Sequence, residues 1–299
     1  MIEIFKQVFF TNTIFFSVFV FIIGACIASF FNVVIFRLPK MIDHENASDI
    51  KSWLEEKNIK SPHELEDIIK EKINIAFPSS HCFNCKKPIK WYYNIPIIGF
   101  FLTKCQCSEC KEKISIQYPI IELIGGILFV FSYLFFMKFG IETFIIGSTL
   151  FFTLVLLFFI DLKTMFLPDN ITLPLLWGGI LLSTINHGLF NIQINDSILG
   201  VILGYLILFI IAKGGKIILK KDAMGEGDFK LLAAIGSFLG IKGVFITFLM
   251  SPFLGILTWL ILKMVKKEEK QIPFGPSIIL SSVIAIIYKT QILSFLSIM

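Results

Sequence analysis

Long apolar blocks separated by short polar breaks organise this chain. Eight stand out, at 8–36, 119–137, 143–160, 171–188, 197–219, 229–240, 243–263 and 277–296. Lipid offers the backbone no hydrogen-bond partners, so blocks of this kind predict transmembrane helices. The pattern therefore predicts an all-α polytopic membrane protein with about eight transmembrane helices. One block is short. From Asp228 to Gly240 the chain reaches roughly 20 Å as a helix, against a hydrocarbon core of about 30 Å, so either Asp228 is drawn below headgroup level or the span continues past Lys242. The first block does not read as a signal peptide, because Glu3 and Lys6 cancel before it and Arg37 follows it.

One sizeable polar stretch, 40–118, separates block 1 from the rest. It divides the chain into a first transmembrane helix (1–39), a soluble domain (40–118) and a seven-helix membrane domain (119–299). Within it, 41–76 is charged and predicts helix. Ser61-Pro62-His63-Glu64 has the form of a capping box, and Leu65, Ile68, Ile69 and Ile73 follow at helical spacing. This amphipathic helix is expected to pack on the domain or on the bilayer surface. Further on, Cys82-x2-Cys85 and Cys107-x2-Cys110 stand 21 residues apart. Two such pairs predict one tetrahedral structural zinc site, whose metal supplies folding energy to a segment with little core. Four thiolates leave no open position for catalysis. Reduced thiols or redox chemistry are the alternatives, and Cys105 and His81 lie beside the pairs as competing ligands. The aromatic run Trp91-Tyr92-Tyr93 reads as an interfacial anchor or a binding surface.

Composition reinforces this reading. The chain has 299 residues, 56% hydrophobic and only 16% charged, with 34 phenylalanines, which excludes a soluble domain. The net charge of +5 is distributed as a topology signal. All but Lys6, Lys138, Lys242 and Lys289 of the 27 Lys and Arg fall on one side of the eight spans. The positive-inside rule makes that side cytoplasmic, so nucleic acid is not an expected partner. Segment 40–118, Asp161, Asp228 and 264–276 then share the cytoplasmic face.

Polar residues inside or at the ends of the blocks carry the candidate chemistry. Ser29, Asn32 and Phe36 share a helical face, and a buried Asn needs a partner. Glu122 lies one turn into block 2. Asp161 ends block 3, and Pro168-Asp169 starts block 4, with Asp169 a candidate N-cap. Asp228 opens block 6 inside Met224-Gly225-Glu226-Gly227-Asp228-Phe229-Lys230, where the glycines permit a sharp turn and Lys230 can neutralise a neighbour. Ile272-Pro273-Phe274-Gly275-Pro276 returns the chain to the membrane on the same face. Two carboxylates at one membrane boundary point to acid/base chemistry on a membrane-embedded substrate.

Seven motifs in order, SFFNVVIFRLP (29–39), the two CxxC pairs, WYYNIP (91–96), QYPIIE (117–122), IDLKTMFLPD (160–169), MGEGDFKLLAAIG (224–236) and IPFGP (272–276), resemble the bacterial type IV prepilin peptidases. The resemblance implies that Asp161 and Asp228 are the catalytic pair of a membrane aspartic protease of the Gly-x-Gly-Asp type. It implies a substrate of prepilin or pseudopilin type, with a basic leader and an apolar N-terminal helix, cut after a Gly at the cytoplasmic face of a bacterial inner membrane. It also implies methylation of the new N-terminus by S-adenosylmethionine, with Asn32, Arg37, Asn94 and Glu122 as candidate methyl-donor contacts. Two adjacent carboxylates share a proton, so one activates water while the other polarises the scissile carbonyl. The sequence departs from the family at Phe83, where Pro is usual, at Gly99 for Ser, at Cys105 for Gly, and in the length of 41–76. None of these touches the aspartates, but the transferase rests on less defined residues. Rival readings are a peptidase without methylation, a proton-coupled transporter using Asp161, Asp228 and Glu122, and a non-catalytic assembly protein.

Overall fold

A computed structural model describes residues 13–57, 59–70, 74–185, 192–220, 224–265 and 273–295. Residues 8–12, 186–188 and 296 of the expected blocks, Ile73 of the amphipathic helix, Lys266 to Lys270 and Ile272 lie outside these. Nine α-helices appear among the described residues: α1 Thr13–Glu56, α2 His63–Lys70, α3 Ile98–Leu102, α4 Gln117–Phe136, α5 Ile141–Thr164, α6 Asp169–Thr184, α7 Ile194–Leu219, α8 Glu226–Val265 and α9 Gly275–Phe295. Short 3-10 turns cover Trp91–Asn94 and Met137–Phe139. Among the described residues five helices are long and apolar enough to cross a membrane, and the protein is a multi-pass membrane protein. The chain divides into two compact units, Met1–Tyr133 and Leu134–Met299.

In the first unit, α1 outruns the apolar block. It continues through Pro39 to Glu56, because a proline removes only one bond of the helical ladder and 40–56 contains no further Gly or Pro. The extension packs on α2, with Ala47 buried. The Ser61 hydroxyl donates to Glu66 rather than capping the α2 amides. Inside the bilayer span α1 and α4 run antiparallel at close range. A Cβ on Gly24 would lie 2.8 Å from the Gly125 carbonyl oxygen, the small-residue packing that replaces hydrophobic drive in lipid.

In the second unit α8 is the hub, with α6, α7 and α9 packed on it. Asp228, Phe229 and every residue from Leu231 to Gly240 are buried, so beyond Lys230 its first half is apolar all round and central. The helix breaks at Gly240, where φ is 66° and ψ is −171°, and Val244 returns against Gly236. This separates the short block 229–240 from 243–263. Both sides of the break are capped. Asp196 accepts the Ile241 amide at 3.1 Å, and Lys289 donates to the Leu239 carbonyl at 2.8 Å, satisfying groups that a helix terminus leaves open. The α7–α8 approach is backbone to backbone, because a Cβ on Gly200 would lie 2.5 Å from the Gly236 carbonyl oxygen. The face of α9 carrying Ser277, Ser281, Ser282 and Ala285 is fully buried.

Gly200→Ala is therefore expected to lower the melting temperature in detergent, at an overpacking cost of about 1–3 kcal/mol. Gly214→Ala, with nothing within 4 Å of its Cβ among the described residues, is the control that should not. Equal melting of both variants would contradict the close approach.

Candidate functional site

Asp161 lies in the last turn of α5 and Asp228 in the first turn of α8. Both are buried, at 3% and 8% exposure, and Asp228 feels the charge of Asp161. Neither forms an ion pair among the described residues. The Gly275 amide, at the start of α9, faces the Asp161 carboxylate, while Oδ2 of Asp161 has no hydrogen-bond partner among the described residues. Gly275 has to be glycine for this approach, since a Cβ there would lie 2.5 Å from that oxygen and 3.3 Å from Leu167 Cδ1. Gly227 meets the same leucine, with its Cβ position 2.9 Å from Leu167 Cβ. The α5–α6 loop thus runs between the two glycines. Its end is tied down where Lys230 donates to both oxygens of Asp169, at 2.8 and 2.7 Å. Asp169 is the first residue of α6, following Pro168 at the cap position, and its carboxylate serves Lys230 instead of capping. Leu167 and Gly275 escaped the motif reading as individual contacts, and for Leu167 no sequence signal exists.

The four sulfurs of Cys82, Cys85, Cys107 and Cys110 lie within 4.8 Å of one another. Cys82 to Cys110 is 3.7 Å and Cys85 to Cys107 is 4.0 Å. A tetrahedral site with zinc–sulfur bonds of about 2.3 Å needs sulfurs roughly 3.8 Å apart, and a disulfide needs about 2.05 Å, so the set fits a metal. Both knuckles are built alike. Lys86 and Lys111 take left-handed φ values of 58° and 62°, and their amides return to the Cys82 and Cys107 carbonyls at 3.0 and 3.1 Å. The amides of Cys110 and Glu109 pull the Cys107 thiol down to about 7. The Lys87 amide favours the Cys85 thiolate, but burial and bonds from the other three sulfurs outweigh it and hold that thiol up to about 11. A divalent cation resolves that competition by taking all four as thiolates. Cys105 and His81 are not in the sulfur cluster. Cys105 has left-handed backbone (φ 62°), and His81 meets the Ser79 carbonyl at 2.9 Å.

The remaining candidates separate. The Ser29 hydroxyl donates to Glu122 Oε1 at 2.7 Å, and the Ile97 amide donates to Oε2 at 2.7 Å. Asn32 donates from Nδ2 to the Tyr118 carbonyl at 3.2 Å. Arg37 is elsewhere, spread over the carbonyls of Asn74, Ile75 and Pro78 at 3.0, 3.1 and 2.6 Å. Asn94 ends the 3-10 turn at Trp91–Asn94, whose Trp91 is 78% exposed. Ile97 could not have been read from sequence, because its amide reaches Glu122 only through a left-handed φ of 62°, which a β-branched residue seldom adopts.

Residues 22–136 match the bacterial peptidase A24 N-terminal domain, and residues 148–260 match the type IV leader peptidase family. The chain is 36% identical, over 91% of its own length and 91% of the relative's, to a prepilin leader peptidase/N-methyltransferase of Aeromonas salmonicida. It is 33% identical to the protein so described from Neisseria gonorrhoeae, over 87% of this chain and 86% of that one. A Klebsiella pneumoniae protein of the same description is 37% identical over 74% of this chain and 84% of its own. No solved structure matches.

If the sulfur cluster holds zinc, purified protein should carry about one zinc per chain, and Cys82→Ser should lose the metal and the yield of folded protein together. An undiminished zinc content in that variant, measured by plasma emission, would exclude Cys82 from the ligand set.

Proposed function

The chain belongs to the type IV leader peptidase family, and from that premise we propose that Asp161 and Asp228 are the carboxylate pair that cuts the leader from its substrate. The protein removes the leader of prepilin-type proteins and N-methylates the product. The observation that supports the pair is the burial of two carboxylates, without ion-pair partners among the described residues, at the ends of α5 and α8, with Asp228 close enough to feel the charge of Asp161. Such a pair holds one proton between its members. The ionised member takes a proton from water as the oxygen attacks the scissile carbonyl. The protonated member donates to the carbonyl oxygen, and the tetrahedral intermediate collapses with a proton passed to the leaving amine.

The Gly275 amide supports this role by fixing the orientation of Asp161, and the Leu167 loop packs against the glycines beside both acids. The one-sided distribution of Lys and Arg favours a cytoplasmic active site in a bacterial inner membrane, where the substrate's apolar N-terminal helix lies in lipid and its basic leader in water. S-adenosylmethionine is the methyl donor in this reading. Asn32, Asn94 and Glu122 are the candidates that remain for the transferase, since Arg37 already spends its guanidinium on three backbone carbonyls. Zinc on Cys82, Cys85, Cys107 and Cys110 would be structural, bracing the segment that carries Ile97.

Asp161→Asn and Asp228→Asn are each expected to lower leader cleavage roughly a thousandfold or more, with melting temperature in detergent preserved. The measurement is the intact mass of a prepilin-type substrate after incubation with each variant. Cleavage by either variant within about tenfold of the parent would remove that residue from the pair.

A further inference from the structure

The polar centre of the first unit holds more acceptors than donors. Glu122 is 8% exposed and Asn32 3%. The charge of Glu122 meets only the neutral Ser29 hydroxyl and Ile97 amide, and no Lys or Arg pairs with it among the described residues. Asn32 is turned by its own bond. The Tyr118 carbonyl can only accept, so the amide nitrogen must face it, and Oδ1 is left pointing elsewhere. That oxygen is buried with no partner among the described residues. The pairs Ser29–Glu122 and Asn32–Tyr118 stand one helical turn apart on α1 and α4, roughly 5 Å. A carboxylate without a counter-charge, one helical turn from an orphaned carbonyl oxygen, is matched by a small cation with several N–H donors.

We propose that Asn32 Oδ1 and Glu122 form the receiving site for the α-ammonium group of the leader-free product, and that Glu122 takes the proton the amine must lose before methylation. The inference rests on the methyltransferase part of the proposed function. An ammonium has no lone pair, so one N–H proton first passes to the Glu122 carboxylate. The freed nitrogen lone pair then attacks the methyl carbon of the sulfonium donor. The N–C bond forms as the S–C bond breaks, the sulfonium leaves as a neutral thioether, and the nitrogen becomes a methylammonium. Glu122 returns its proton to water. The Ser29 hydroxyl and the Ile97 amide hold the carboxylate in place throughout, so both are positioning groups.

The test uses the purified full chain, S-adenosylmethionine, and a leader-free prepilin-type peptide in two forms, one with a free N-terminus and one N-acetylated. The parent protein should bind the free-amine peptide about tenfold or more tightly than the acetylated one, as expected for a charge-assisted hydrogen bond. In Glu122→Gln that preference should vanish and methylation should fall about tenfold or more, while affinity for S-adenosylmethionine stays within about twofold. Persistence of the amine preference in the variant overturns the assignment. So does a parallel loss of S-adenosylmethionine affinity, which would make the donor's sulfonium the cation bound there. Leader cleavage, which the proposal leaves to Asp161 and Asp228, reports folding. If Glu122→Gln loses it, Asn32→Ala carries the same comparison with the same expected and overturning results. A parent protein that cleaves but never methylates removes the methyltransferase reading itself, and this inference with it.

Discussion

Placing ionisable groups inside a lipid-embedded helical core is the constraint from which the second unit takes its form. On insertion scales an Asp at mid-span costs roughly 2.5–3.5 kcal/mol. Asp228 reduces that cost by lying in the first turn of α8, where unsatisfied amides supply partial positive charge, and Asp161, at the C-terminal end of α5, does so by facing the N-terminal end of another helix. Asp228 precedes the buried stretch 231–240 of α8, and Asp161 faces the Gly275 amide at the start of α9. For those termini to converge, α7, α8 and α9 have to approach more closely than ordinary side chains allow. Gly200 and Gly236 permit one such contact, and Gly227 and Gly275 accommodate the Leu167 loop.

The break at Gly240 belongs to the same arrangement. A straight helix from Glu226 to Val265 would extend roughly 60 Å, twice a hydrocarbon core, so the chain has to turn. The break brings Val244 back onto Gly236, and the caps from Asp196 and Lys289 satisfy the backbone groups it exposes. The short first half of α8 is left buried all round, with a carboxylate at its end. Lys230, which shares its first turn, neutralises Asp169 and not Asp228.

The first unit answers a different problem. Segment 77–116 has few buried side chains and gains its order from repeated local geometry: two knuckles, each with its left-handed lysine at 86 or 111, and four converging sulfurs. Between the knuckles the chain delivers the Ile97 amide to Glu122, while a chain of ring contacts from Phe83 through Phe36 to Tyr118 joins the knuckle to α1 and α4. The soluble module therefore meets the membrane helices at their buried polar centre, where the surplus of acceptor oxygens is found.

Much of this was legible in the residues alone, for a physical reason. Lipid forces backbone hydrogen bonds to close within a helix, so apolar block length translates directly into secondary structure. Cys-x2-Cys pairs have one common solution, so the convergence of four sulfurs was legible as well. Arg37 was not, because an arginine near a membrane face reads equally as ligand contact and as a brace for loop carbonyls. Nor was the length of α1, since Pro39 reads as a stop where the fold tolerates it. The sequence by itself determined the helical class, the candidate carboxylates and the sulfur set, because each depends on residue type and local spacing. Only the tertiary structure decided that Gly275 faces Asp161, that Lys230 serves Asp169, and that Asn32 keeps an unpartnered oxygen one turn from the Ser29–Glu122 pair. Those facts depend on distances between segments far apart in the chain, which local spacing does not encode.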